Sequence, residues 1–251
     1  MSDHGHADNV AAGEQQIAYI TSWGAAYNPS NTAITLANLT ANHTAAVSSM
    51  NGVANARADY VNLINDRENT YLGIRPLVTR VVQYYESTGA DQNKIDDVRT
   101  LKRKLDGARA SSKPTTPPSN GGSTPEPPAD SGPGTGSASQ QGHTQVIEHL
   151  EGIIKLLQED ALYSPNETEI QLPTLTARVN DMKAAKSAVA TSLATISNAR
   201  GHRDDVLYAD STGLYDRAML TKKYVRAGFG QDSTQYTQLA SLKFKKAKVK
   251  S

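Results

Sequence analysis

LPTLTARVNDMKAAKSAVATSLATISNARGHRDDVLY, residues 172–208, carries the main structural signal of this chain. Leu172, Leu175, Val179, Met182, Lys186, Val189, Leu193, Ile196, Arg200, Arg203 and Leu207 recur in alternating steps of three and four. A seam sustained over about five heptads predicts one long helix packed at the shallow angle of bundles and coiled coils. The same steps run through Leu36, Leu39, His43, Ala46, Met50, Val53, Arg57, Tyr60, Ile64, Arg67 and Tyr71. At 1.5 Å per residue each helix is about 55 Å long.

Upstream of each seam the sequences align at an offset of 136. Ala26–Ala41, AYNPSNTAITLANLTA, meets Leu162–Ala177, LYSPNETEIQLPTLTA, matching Tyr27 with Tyr163, Pro29 with Pro165, Ile34 with Ile170 and Leu39 with Leu175. Val53/Val189, Asn62/Asn198 and Arg67/Arg203 continue the register. Beyond a small insertion near residues 210–213 the offset becomes 141, pairing Gly89 with Gly230 and Val98 with Leu239. The shared punctuation and hydrophobic phase read as an internal duplication. In both copies the proline and its polar neighbours, Asn28–Asn31 and Ser164–Glu167, supply a turn and a helix cap.

Shorter amphipathic segments flank each long helix. Val10–Tyr27 and Thr144–Leu162 precede it; Ile74–Glu86 and Leu214–Phe229 follow, then helices capped at Asp91 and Ser233. Strand alternation and hairpin turns are missing from the sequence. The expected fold is all-α: two homologous four-helix, bundle-like repeats, 1–109 and 144–251. Residues 110–143 between them hold seven of the eleven prolines and no Leu, Ile, Val or aromatic residue, so they read as a flexible Pro/Gly/Ser linker.

Composition narrows the function classes. With 26 Lys+Arg against 25 Asp+Glu the net charge is +1, which implies no general affinity for nucleic acid. The absence of cysteine excludes disulfides, thiolate metal sites and a thiol nucleophile. The opening Met1-Ser2-Asp3-His4-Gly5-His6 lacks the plan of a signal peptide, and no apolar run spans a membrane, so the default compartment is the cytoplasm, with signal-less export open.

Chemistry-bearing patterns are sparse. Neither Glu-x-x-His nor His-Glu-x-x-His occurs, so a carboxylate-bridged or zincin metal site is not expected, and no cofactor is. His4 and His6 lie on a terminus expected to be mobile. His202, Asp204 and Asp205 make the densest polar cluster; it reads as an Arg203 anchored by local carboxylates. Gly228-Phe229-Gly230 reads as a helix end. Arg67 and Arg203 sit on the apolar seams and require a carboxylate or a subunit contact. With Tyr71, Tyr84, Tyr85, Tyr224, Phe229 and Tyr236 they are the candidate interface or structural residues. Lys243, Lys245, Lys246, Lys248 and Lys250 form a basic tail.

Two blocks resemble a known family. Ile74-Arg75-Pro76-Leu77-Val78-Thr79-Arg80, with the acidic turn and closing Arg-Lys-Leu after it, resembles a segment of uncharacterised bacterial helical proteins. Tyr224, Val225, Phe229, Gly230, Ser233, Tyr236, Lys243 and Phe244 match the C-terminal segment of the same proteins. The resemblance implies a repeated helical bundle and carries over no functional residue.

The function expected is therefore non-enzymatic: a structural or interaction protein self-associating through helical faces, as an internal pseudo-dimer, homo-oligomer or filament subunit. The alternative is an adaptor whose basic tail docks nucleic acid, an anionic membrane or a protein partner.

Overall fold

The computed structural model describes residues 4–107 and 142–246, and among these there is no strand. Eight α-helices follow in order: α1 His4–Trp23, α2 Leu36–Tyr71, α3 Ile74–Ser87, α4 Gln92–Asp106, α5 His143–Gln158, α6 Leu172–Tyr208, α7 Leu214–Phe229 and α8 Thr234–Ser241. The fold is all-α, as the periodicity predicts. Both long helices run unbroken through their glycines, Gly52 and Gly201.

Local chemistry accounts for most boundaries. Asp91 caps α4 through the Asn93 N–H, and Ser233 caps α8 through that of Tyr236, as expected from sequence. The caps of the long helices differ from the expectation. Asn31 accepts from Ala33 N and closes a short 3₁₀ turn, Thr32–Ile34, while α2 starts only after Thr35. An equivalent 3₁₀ turn, Thr168–Ile170, precedes α6. The first helix also begins at His4, earlier than the Val10 expected from the apolar pattern.

The described residues form two compact units. The central unit spans residues 65–187; the terminal unit joins 1–64 to 188–251. Neither coincides with one of the repeats read along the sequence, because each draws helices from both halves of the chain. In the central unit α5 of the second half lies against α4 of the first, and α4 against α3. Its core unites Val78, Val81, Val82 and Tyr85 of α3, Ile95, Val98 and Leu105 of α4, Leu150, Ile153 and Leu157 of α5, and Leu175, Val179 and Met182 of α6. In the terminal unit α1 of the first half lies against α7 and α8 of the second. There Ile20, Tyr27, Leu39, Val225, Leu239 and Leu242 pack together, beside a smaller cluster of Ala46, Leu207 and Leu214.

Residues 110–141 of the expected linker, and Lys248 and Lys250 of the basic tail, lie outside the described residues. The mid-helix seam also departs from the expected register. Ser49, Ala56 and Ser192 are buried, whereas Arg57, Lys186, Leu193 and Arg200 are exposed.

Candidate functional site

Corresponding contacts recur in the two units, and each joins one half of the chain to the other. Tyr27 stands edge-on to Tyr224 in the terminal unit, ring centroids 5.4 Å apart at 89°. Tyr163 meets Tyr84 in the central unit at 5.4 Å and 89°. Burial pushes the Tyr27 phenol up to about 12, and that of Tyr163 well above its ordinary value. Both tyrosines are therefore neutral, structural groups.

The other aromatic candidates sit in the same seams. Phe229 lies 5.7 Å from Trp23, and the Trp23 indole N–H donates to Gln238 at 3.2 Å. The Arg226 guanidinium lies over the Tyr236 ring at 5.8 Å. Tyr85 packs on Tyr163 and donates its hydroxyl to Asp160 Oδ2 at 2.8 Å, an acceptor that Lys94 also contacts at 3.0 Å. The Leu162 N–H donates to Asp160 Oδ1, and these hydrogen bonds, with the Lys94 charge, hold the carboxyl below the usual carboxylate range.

Arg67 and Arg203 each turn onto the acid that follows. Arg67 reaches Glu68 at 2.7 Å and Arg203 reaches Asp204 at 2.8 Å. Glu68 is held below the usual range, mainly by the Arg67 hydrogen bond. In each unit a tyrosine at the end of a long helix and a histidine at the start of a helix from the other half join the set. Tyr71 donates to the His143 carbonyl at 3.1 Å, its ring edge-on to the imidazole at 4.7 Å, and His143 Nε2 lies 3.1 Å from Glu68. Tyr208 shares a 2.9 Å hydrogen bond with His6 Nδ1, and desolvation raises both phenols. Each set fastens a helix start to a helix end with its charges already paired.

The sequence reading put His6 on a mobile terminus and passed over Asn9; both are instead buried in α1. Asn9 Nδ2 donates to the Lys245 carbonyl at 2.8 Å and to Tyr208 at 3.2 Å, while Oδ1 accepts from Lys245 N at 2.8 Å. The first part of the basic tail is thereby bound to α1. The Lys245 ammonium pairs with Asp8 at 2.9 Å; Lys243 and Lys246 are exposed. The only hint in the sequence is a polar Asn inside an otherwise helical opening, which is not distinctive.

A groove of 580 Å³ opens in the central unit, with Leu72, Pro76, Leu77 and Ala177 in its wall and Arg80, Glu169, Arg178 and Asp181 among its polar lining. Arg80 pairs with Glu169, and Arg178 donates to the Leu72 carbonyl, so these guanidiniums are engaged. In the terminal unit Arg217 of α7 reaches the carbonyls of Ala33 and Asn38 at 3.4 Å.

His202 and Asp205 are exposed and Asp204 is turned to Arg203, so this cluster is a buried guanidinium paired with an exposed carboxylate. Gly230 ends α7 with φ 96°. Among the described residues no three His, Asp or Glu side chains are grouped to hold a metal, and no helix is long and apolar enough to cross a membrane. Compared with family models, curated proteins and solved structures, the chain finds no match.

Proposed function

We propose that this chain is a non-enzymatic structural and interaction protein, built from two homologous helical repeats that pair with each other and associate further through exposed helical faces. The observation that carries this reading is the reciprocity of the units: α1 lies against α7 and α8, α5 lies against α4, and the Tyr27–Tyr224 and Tyr163–Tyr84 contacts repeat with the same geometry. Reciprocal docking of related segments is how two-fold dimers are made, and here it occurs within one chain. Tyr71, Tyr84, Tyr85, Tyr224 and Phe229 each contact the other half, which supports an interface role for such residues. The bacterial helical proteins that the Ile74–Arg80 block resembles belong to the same reading.

Further association is assigned to Val47, Val61 and Leu193, exposed by 37%, 53% and 51% on the long helices. Light scattering across a concentration series tests it. Particles heavier than the 26.9 kDa chain are expected, and Val47→Lys, Val61→Lys and Leu193→Lys together should reduce them without loss of helicity. A monomer at every concentration overturns the self-associating reading.

A further inference from the structure

Nothing in the seams between the halves requires both halves to belong to the same chain. In the central unit a Cβ placed on Gly152 of α5 would lie 3.0 Å from Leu101 Cδ1 of α4. In the terminal unit a Cβ on Gly13 of α1 would lie 3.3 Å from Leu214 Cδ1 of α7. In both places a leucine side chain of one half packs close over a glycine of the other, and an identical half from another molecule would provide the same fit.

Covalent continuity between residues 1–107 and 142–246 runs through residues 108–141 alone. Both ends of that connection meet one cavity of 330 Å³, with Leu105 on its wall before the connection and His143 and Val146 after it. Antiparallel helices with ends this close are ordinarily joined by about 2–8 residues, and the connection here is several times longer. Its length is more than the α4–α5 pairing needs and leaves the halves free to choose a partner.

We infer that a second copy of this chain is a partner, by reciprocal exchange of halves: residues 1–107 of one chain pair with 142–246 of another, and the reverse. Both units are rebuilt with their native contacts, so cis and trans pairing differ chiefly in effective concentration, roughly millimolar for two parts joined on one chain. Two chains that exchange with each other close into a dimer; exchange passed from chain to chain gives an open assembly. This inference rests on the proposed pairing of the halves and not on Val47, Val61 or Leu193.

The lack of native cysteine gives a clean test. Full-length Leu101→Cys/Gly152→Cys and, separately, Gly13→Cys/Leu214→Cys are refolded at concentrations rising from about 1 μM to about 1 mM, up to that effective concentration. Each sample is oxidised and run on non-reducing gels. Disulfide-linked monomer is expected at the dilute end and linked dimer increasingly towards the concentrated end, in parallel for the two variants because exchange converts both seams together. Monomer bands at all concentrations, dimer in one variant only, or a dimer whose peptide map shows like cysteines joined would each overturn it. Large particles by light scattering with purely intramolecular disulfides would also overturn exchange, while leaving association through the outer faces standing.

Discussion

The Tyr27 hydroxyl donates to the Ile34 carbonyl at 2.6 Å, closing the segment that leads into α2 over a buried ring. Tyr163 does the same to Ile170, also at 2.6 Å, ahead of α6. Removing either hydroxyl strands a buried carbonyl, so Tyr27→Phe and Tyr163→Phe should each cost about 1–3 kcal/mol in denaturant unfolding. The ring contacts remain in the phenylalanine variants. Unchanged midpoints for both variants would show that water replaces the lost donor.

Gly73 and Gly213 turn corresponding corners, before α3 and before α7, for different reasons. Gly73 has φ 75° with open space where a Cβ would stand. Gly213 has an ordinary φ of −69°, but a Cβ would come within 2.7 Å of Ala209 N. Gly73→Ala should therefore lose about 1–2 kcal/mol to left-handed backbone strain, and Gly73→Asn should recover part of it. Gly213→Ala should lose about 1–3 kcal/mol to overlap, and Gly213→Asn should be no better. Thermal unfolding of the four variants distinguishes strain from overlap; equal rescue by Asn at both corners contradicts the assignment.

The helical class was legible because apolar spacing reports which face of a helix is buried. The α7 limits, Leu214–Phe229, and the caps Asp91 and Ser233 could be read directly for the same local reasons. The mid-helix register was not. A 3-4 alternation favoured Met50 and Arg57, yet Ser49 and Ala56 are buried. Ser49 and Ser192 enter the interior because their hydroxyls donate to the carbonyls three residues back, Ala46 and Val189, at 2.8 and 2.9 Å. Hydropathy assigns such residues to the surface. Partner choice was hidden for another reason: His6 and Asn9 acquire their roles from Tyr208 and Lys245, some two hundred positions away.

Asp160 gives the central unit an acid limit. Its folded carboxyl titrates below the unfolded value of about 3.9, so its contribution is present above that pH and lost as pH falls through the folded pKa. Asp160→Asn should lower Tm at pH 7, and the gap from wild type should narrow as pH drops below about 4. A Tm series from pH 7 to pH 2.5 on both proteins measures this. An offset that stays constant over the series would mean that packing, and not the charge received by Tyr85, Lys94 and Leu162 N, explains the loss.

Asn9 tests whether the tail is part of the fold. Its amide is used completely: both Nδ2 hydrogens are donated, to Lys245 O and Tyr208, and Oδ1 accepts from Lys245 N. Asn9→Ala removes all three bonds from a position with no solvent exposure and should cost about 1–3 kcal/mol. Asn9→Asp keeps the shape and the acceptor but cannot donate to the Lys245 carbonyl, and it places an anion in a buried site. It should be the worse of the two at pH 7 and should improve on acidification, when the protonated acid regains one donor. Amide exchange supplies the local readout: the Lys245 N–H should be protected in the wild type and exposed to exchange in Asn9→Ala. If that amide exchanges freely in the wild type, the Asn9 contact does not hold the tail in solution, and Lys243, Lys245 and Lys246 are then a solvated basic segment available to an acidic partner.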